Sequence, residues 1–357
     1  MPVRIRSAVA ALPAYRAGKP PTPGPDGASY KLSSNENPYP PLPGVLDAVA
    51  RAAAGMNRYP DAGNTAITER VATRHGVHPD RVAFGAGSVA VLYHLLQATC
   101  EPGDEVVYAW RSFEAYPIAV QLTGATAVQV PLGPRGEHDL DAMRAAVTER
   151  TKVIMVCTPN NPTGPVVGHD ALVAFVDSVP DHVMIMVDEA YVEFVTDPCA
   201  VRGAELARGR DNVVVLRTFS KAYGLAGFRV GYCIAHPEIA AATRGVALPF
   251  GVSVTAQAAV LASLDAEPEL LDRVRRLVVE RDVVLAGMRA RGFPVPDAQG
   301  NFFWLPALAD TERWAAAFGA AGLSVRAFPG GDEHAGIRIS VGEPEANRLV
   351  LEVADSL

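Results

Sequence analysis

Residues 212–232 read NVVVLRTFSKAYGLAGFRVGY, a β-branched run followed by a turn that carries one lysine and then one arginine. The run has no alternation of apolar and polar residues, which predicts a strand that is buried on both faces. Lys221 lies just past the end of this strand, although lysine is seldom fully buried. Its ammonium group therefore either reaches water along a packed stem or takes part in chemistry.

Short apolar strands alternate with helical stretches over residues 45–250. The strand candidates are RVAFG, EVVYA, AVQV, KVIMVC, VMIMV and NVVVL. Helical patterns such as SVAVLYHLLQATC and DALVAFVDSV lie between several of them. This alternation predicts an α/β fold with a mostly parallel sheet that is covered by helices on both faces.

Three regions are expected along the chain. Residues 1–44 form an arm that contributes to a small domain, since the dense prolines from residue 18 onward favour an extended chain. Residues 45–250 form the large domain. Residues 251–357 contain a long amphipathic helix and the short strands NFFWL, SVRAF and GIRISV, which predict a smaller α+β domain.

Composition excludes several classes of partner. The 357 residues carry a net charge of -7 without a run of Lys or Arg, so a nucleic-acid partner is not expected. No apolar stretch approaches the length of a membrane span. The 4 cysteines have no CxxC spacing, so neither a disulfide nor a metal site is predicted. We expect a soluble cytoplasmic protein that has no membrane partner.

Polar residues follow the strand candidates where these end. KVIMVC ends in TPNNPTG, VMIMV in DEAY, NVVVL in RTFSK, and RVAFG in a glycine turn before a helix. Ligands of open parallel sheets bind outside the carboxyl ends of the strands. Pyridoxal phosphate requires such a set: a lysine of lowered pKa, a buried carboxylate for its ring nitrogen, donors for its phenolic oxygen, and a helix N-terminus with a cation for its phosphate.

Six motifs carry a resemblance to a known family: NENP (35–38), RYPD (58–61), TPNNPTG (158–164), DEAY (188–191), TFSKAYGLAGFRVGY (218–232) and IRISVG (337–342). Their order and spacing resemble the histidinol-phosphate aminotransferases, a family of fold-type I pyridoxal-phosphate enzymes, over nearly the whole chain. The segment VYAWRSFEAYP (107–117) looks like the version found in actinobacterial aromatic-amino-acid (phenylalanine) aminotransferases of this family.

The resemblance implies roles for four residues around the cofactor ring. Lys221 would hold pyridoxal 5'-phosphate as an internal aldimine and then carry the proton, and Asp188 would pair with the ring nitrogen. Tyr191 and Asn161 would hydrogen-bond the phenolic oxygen. Two alternatives remain open, since Asp188 could instead cap the turn that follows it and Asn161 could serve the Pro-Asn-Asn-Pro turn.

The same resemblance assigns a phosphate site and an aromatic contact. The phosphate set comprises Gly87, Ser88, Val89, Thr218, Ser220 and Arg229. Phe113 would lie against the pyridine face, with a core aromatic as the alternative. Tyr59 of RYPD would enter the phosphate site of a neighbouring subunit, which implies a homodimer.

For the substrate, Arg338 matches the arginine that binds the anionic group, and Arg326 lies near a second family arginine at a slightly different spacing. Either could instead be a charge at a strand edge. Asn161 would also contact the substrate, and Tyr15, Tyr39 and Phe113 could line an aromatic pocket. The expected reaction moves an amino group between phenylalanine, tyrosine or tryptophan and a 2-oxo acid such as 2-oxoglutarate.

Two other activities remain open at this point. Histidinol phosphate combines a ring with an anion and is the alternative amino donor. A decarboxylase or lyase on the same scaffold is more distant, because the cofactor stabilises any carbanion at the α-carbon.

Overall fold

The computed structural model describes residues 3–13, 18–27, 29–330 and 335–357. The strands are β1 (Tyr30–Lys31), β2 (Val82–Ala86), β3 (Glu105–Trp110), β4 (Thr126–Pro131), β5 (Thr151–Cys157), β6 (Met184–Asp188), β7 (Val213–Thr218), β8 (Val230–Ile234), β9 (Phe302–Leu305), β10 (Leu323–Ser324), β11 (Arg326–Phe328) and β12 (Gly336–Ser340). The helices are α1 (Ser7–Ala10), α2 (Pro43–Ala53), α3 (Thr65–His75), α4 (Ser88–Thr99), α5 (Ala115–Thr123), α6 (Leu140–Ala145), α7 (His169–Ser178), α8 (Gly203–Gly209), α9 (Pro237–Val246), α10 (Val254–Asp265), α11 (Glu267–Ala290), α12 (Thr311–Ala320) and α13 (Pro344–Ala354).

The central sheet has the strand order β2-β8-β7-β6-β5-β3-β4. Its neighbouring strands are parallel except at β8, which runs antiparallel to both β2 and β7. The predicted α/β fold with a mostly parallel sheet is therefore confirmed. The register pairs Cys157 with Asp188 and Asp188 with Leu216, so β5, β6 and β7 end side by side at one edge.

The central strands β5, β6 and β7 are buried on both faces, as unbroken apolar runs predict, whereas the edge strand β4 is largely exposed. Ile185 and Val187 of β6 belong to the hydrophobic cluster on one face, and Met184 and Met186 belong to the cluster on the other. Successive side chains of a strand point to opposite faces, so burial on both sides leaves no position for a polar residue until the strand ends. Asp188 is the last residue of β6 and the first polar one.

The arm and the C-terminal region share a second core. Leu32 lies in one hydrophobic cluster with Leu323 and Ile339. Strand β1 pairs in parallel with β10, and the antiparallel sheet β11-β12-β9 lies in the same region. Helix α10 does not share this second core, because its residue Val260 packs in the hydrophobic cluster of the central sheet.

The limit at residue 250 between the large and small domains remains a prediction. Within the described ranges, no helix is long and apolar enough to cross a membrane.

Candidate active site

A cavity of about 230 Å³ lies at the carboxyl edge of the central sheet, where residues of the arm and of β11 and β12 close it. Most of the predicted site residues line it: Ser88, Val89, Phe113, Asn161, Asp188, Tyr191, Thr218, Ser220, Lys221, Arg229, Arg326 and Arg338. They come from chain segments that are far apart in sequence, and the fold brings them to one place.

Asp188 is buried and Lys221 is half-buried, and the pKa values of both are shifted. Burial and the nearby positive charge of Arg338 lower the pKa of Lys221 to about 7, and its Nζ donates a hydrogen bond to the carbonyl of Ser34 at 3.0 Å. Burial raises the pKa of Asp188 to about 6, although a hydrogen bond from Tyr116 acts in the opposite direction. At neutral pH a large share of Lys221 is therefore a neutral amine, while Asp188 is mostly ionised.

The oxygens of Asp188 have two different partners. The hydroxyl of Tyr116 donates to Oδ2 at 2.8 Å, and the backbone N–H of Ala190 donates to Oδ1 at 3.3 Å. The second contact means that Asp188 also supports the turn after β6, as the alternative interpretation allowed. The aspartate nevertheless lines the cavity, so capping does not exclude a role there.

A hydrogen-bonded chain connects the arm, β5, β6 and β12 across the cavity. Tyr191 Oη accepts from the Nδ2 atoms of Asn35 (3.0 Å) and Asn161 (3.2 Å). Asn161 Oδ1 accepts from Arg338 Nη1 at 2.6 Å, and Arg338 Nη2 donates to the carbonyl of Ser33 at 2.7 Å. Tyr191 and Asn161 thus lie next to each other on the cavity wall, and their expected role towards the phenolic oxygen stays a prediction.

The opposite end of the cavity is suited to an anion. Ser88 and Val89 lie in the first turn of α4, where helix N–H groups and the helix dipole favour negative charge. Arg229 lies beside them and donates to Ser220 Oγ at 3.3 Å. Gly87 precedes the helix at φ 85°, and a Cβ there would collide with the guanidinium of Arg229, so the position requires glycine.

Two arginines enter from the small sheet. Arg326 on β11 and Arg338 on β12 are directly opposite each other in the antiparallel register. Their guanidinium carbons lie 5.4 and 5.8 Å from the ring centroid of Phe328. Arg326 Nη2 is 2.5 Å from Glu114 Oε2. Both arginines line the cavity, so neither is merely a charge at a strand edge.

Three predicted aromatic residues lie outside the cavity wall or outside the described residues. Tyr59 is 82% exposed and stacks on Phe250 with a centroid distance of 4.5 Å. Tyr39, which was expected in the substrate pocket, does not line this cavity and packs against the core of the large domain. Nearby, Asn37 accepts a hydrogen bond from Tyr39 N and donates to the carbonyl of Ala222. Tyr15 lies outside the described residues.

Sequence reasoning missed several residues of the cavity. Glu114 and Phe328 line it, and Tyr116 and Asn35 hydrogen-bond two of its central side chains. Tyr116 follows Phe113 by three positions, the spacing at which helical side chains are neighbours, and this signal could have been used. The contact between Glu114 and Arg326 spans 212 positions and has no local signal.

The model of the family "aminotransferase class I and II" matches residues 29–353. The chain belongs to the class I and II aminotransferases. This aminotransferase is 54% identical to the aromatic amino acid aminotransferase of Streptomyces avermitilis over 99% of its own length and 97% of that protein. It is 52% identical to the aromatic amino acid aminotransferase of Thermobifida fusca over the same shares.

Among solved structures, the aminotransferase is similar to the histidinol-phosphate aminotransferase of Sinorhizobium meliloti in complex with pyridoxal-5'-phosphate. The TM-score is 0.87 at 26% identity, covering 99% of this chain and 98% of that one. The family match and the similar structure confirm the predicted family and fold class. The predicted cofactor is confirmed as well, because class I and II aminotransferases depend on pyridoxal phosphate.

The cavity fits this cofactor on its own chemistry. Its anion-binding end has the glycine turn before α4 and the guanidinium of Arg229, which suit a phosphate. A buried carboxylate, Asp188, suits a protonated ring nitrogen, and Lys221 supplies an amine of lowered pKa.

Proposed function

We propose that this aminotransferase moves an amino group between an aromatic amino acid (phenylalanine, tyrosine or tryptophan) and a 2-oxo acid such as 2-oxoglutarate. The observation that carries the proposal is the full-length similarity, at 54% identity, to a protein named aromatic amino acid aminotransferase. Membership of an aminotransferase family also favours amino transfer over a decarboxylase or lyase reaction.

In the cofactor half of the site, Lys221 Nζ would bind the cofactor and then carry the proton that leaves the substrate α-carbon. Bound pyridoxal phosphate supplies the electron sink that makes this proton acidic. Asp188 would keep the ring nitrogen protonated, and Asn161 and Tyr191 would donate to the phenolic oxygen. Phe113 would pack against the ring, and the phosphate would be held by Gly87, Ser88, Val89, Thr218, Ser220 and Arg229.

In the substrate half, Arg338 would bind the α-carboxylate. Arg338 is 8% exposed, and its guanidinium is already oriented by Asn161 and the carbonyl of Ser33, so little side-chain entropy is lost on binding. Phe113 and Phe328 would contact the aromatic side chain, and Arg326 would contact a second anionic group where the substrate has one.

A donor panel tests the proposal. Purified protein with 2-oxoglutarate is assayed with phenylalanine, tyrosine, tryptophan and histidinol phosphate, and kcat/KM is compared. We expect the best aromatic donor to exceed histidinol phosphate by at least about tenfold. Histidinol phosphate is the second candidate, because of the likeness to the Sinorhizobium meliloti structure and the presence of two arginines. A preference of that size for histidinol phosphate would overturn the aromatic assignment.

We also propose a homodimer in which Tyr59 completes the phosphate site of the partner subunit. Tyr59 (82% exposed), Leu248 (76%) and Phe250 (42%) are large apolar residues left in contact with solvent, which favours an interface at this surface. Tyr59 lies outside the wall of its own chain's cavity.

Subunit mixing tests the shared site. Tyr59→Ala and Lys221→Ala proteins are each assayed alone and then after exchange of subunits. A mixed dimer regains one site that carries neither change, so activity should rise above the sum of the separate samples. A fully active monomer, established by sedimentation at assay concentration, would contradict the proposal.

A further inference from the structure

Arg326 is held at the wall of the cavity by an acidic residue of the large domain. Its Nη2 lies 2.5 Å from Oε2 of Glu114, which precedes α5. Both residues line the same cavity as Lys221 and Arg338. An ion pair thus occupies the wall near the arginine that would bind the α-carboxylate.

The two partners differ in how easily they can reach water. The side chain of Arg326 is 11% exposed, and that of Glu114 is 32% exposed. Burying an unpaired charge is costly, so Arg326 requires an anion in every state of the site. Glu114 is the partner that can turn towards solvent and be hydrated there.

An aminotransferase of the proposed specificity binds two unlike side chains in one cavity. The aromatic substrate presents an uncharged ring, whereas the dicarboxylic substrate presents a second carboxylate. With the ring bound, Glu114 can remain on Arg326 and neutralise it. With the dicarboxylate bound, the carboxylate of Glu114 would compete with and repel that of the substrate.

We propose that Glu114 is a specificity-determining residue: it neutralises Arg326 when an aromatic side chain is bound and yields Arg326 to the distal carboxylate when a dicarboxylate is bound. The proposal rests on the proposed function for the identity of the two substrates. The role of Glu114 goes beyond the proposed function, because this residue would not itself contact the reacting atoms.

Glu114 has a simpler role to be weighed against this one. It stands at the N-terminus of α5, where an acidic residue is stabilising through the helix dipole. Its side chain makes no capping hydrogen bond to the helix and is directed to Arg326 instead. A purely structural role predicts a change in thermal stability without a change in ligand preference.

The test compares the cofactor-loaded wild type with Glu114→Gln by calorimetric binding of two unreactive ligands. The first is 3-phenylpropanoate, an aromatic monocarboxylate, and the second is glutarate, a dicarboxylate. Removing the competing carboxylate should tighten glutarate binding and weaken 3-phenylpropanoate binding. We expect the ratio of the two dissociation constants to shift by at least about tenfold towards glutarate.

A matched control and a second background make the result specific. Glu312→Gln makes the same change of charge on an exposed residue of α12 and should leave the ratio unchanged. In an Arg326→Gln background, the effect of Glu114→Gln on the ratio should disappear, since the two changes act through one contact. A ratio within about twofold of wild type in a folded Glu114→Gln protein would overturn the proposal.

The donor assay and the ratio of dissociation constants together distinguish failure of the proposed function from failure of the role of Glu114. If the wild type transfers no amino group from any aromatic donor, the proposed function fails, whatever the ratio is. If aromatic donors react and the ratio stays constant, only the role of Glu114 fails.

Discussion

The carboxyl edge of the central sheet and the β11–β12 ladder supply the two halves of the cavity by different means. At the edge, Asp188 and Lys221 follow consecutive parallel strands, and their positions are set by backbone pairing of β6 with β7. On the ladder, Arg326 and Arg338 are cross-strand neighbours, and their guanidinium groups are oriented by contacts with Glu114, Asn161 and the arm.

This difference indicates whether a substitution in each half should change the chemistry or the substrate preference. The edge holds ionisable groups whose pKa values are shifted towards neutrality, mainly by desolvation, to about 6 for Asp188 and about 7 for Lys221. The reactivity of such groups depends on the neighbouring side chains that shift their pKa values, so we expect it to be sensitive to single substitutions. The ladder holds arginines that keep their charge and lie on the substrate side of the proposed site, so we expect changes there to alter preference more than chemistry.

The largest expected effect is at the edge. Lys221→Ala should reduce kcat by at least about a thousandfold, because under the proposed function it removes both the amine that would bind the cofactor and the proton carrier. After treatment with cofactor and borohydride, the wild type should carry the added mass on the peptide that contains Lys221. Lys152→Ala, which changes an exposed lysine of β5, is the control. Normal multiple turnover by Lys221→Ala would remove this residue from the chemistry.

Asp188→Asn should be the next most damaging change, with kcat/KM lower by about a hundredfold. A neutral amide cannot hold a proton on the ring nitrogen, so the electron sink is weakened while the fold persists. The measurement is kcat/KM with phenylalanine, together with the thermal unfolding temperature to verify folding. Activity within a few-fold of wild type would show that Asp188 acts only on the turn after β6.

The edge could be predicted from sequence and the ladder only in part, for a physical reason. Parallel strands that are buried on both faces must be apolar until they end, so the first polar residue of each marks the functional rim. Asp188 is such a first polar residue, Asn161 and Lys221 follow the ends of β5 and β7 by a few positions, and the family resemblance added the roles of all three. The sequence did not reveal that β8, which contains Tyr232 and Cys233, runs antiparallel to its neighbours β2 and β7.

Long-range contacts explain what the sequence did not reveal. Asn35 reaches Tyr191 over 156 positions, and no local pattern records such a pairing. The arm near Tyr39 is likewise tied to the large domain by a distant contact, since Asn37 donates to the carbonyl of Ala222, 185 positions away. Arg326 was in doubt because its spacing departs slightly from that of the family, whereas the register of β11 against β12 places it opposite Arg338.

On the ladder, Arg338→Lys should raise KM for phenylalanine about tenfold and change kcat less. Lysine keeps the charge but loses the planar fork that holds both Asn161 and the carbonyl of Ser33. Steady-state kinetics gives both constants. Arg326→Lys is the comparison on the same ladder and should affect phenylalanine less, because this donor lacks a second anionic group. Equal effects of the two changes on phenylalanine would contradict the assignment of the α-carboxylate to Arg338.

The smallest expected effect returns to the edge and concerns Tyr116, whose hydroxyl donates to Asp188 Oδ2 at 2.8 Å. This bond lowers the pKa of Asp188 and so opposes the effect of burial. Tyr116→Phe should therefore raise the pKa of Asp188 above about 6, and the carboxylate that binds the ring nitrogen should be lost at a higher pH. Cofactor affinity, measured by titration from pH 5 to pH 9, should be a few-fold weaker than wild type near neutrality, with its acid limb displaced upward by about one pH unit. The affinities of the two proteins should converge at the alkaline end, where Asp188 is ionised in both.

Tyr108→Phe is the control, since Tyr108 packs beside Tyr116 but donates nothing to Asp188. A uniform loss of affinity at every pH would mean that Tyr116 supports the site by packing alone.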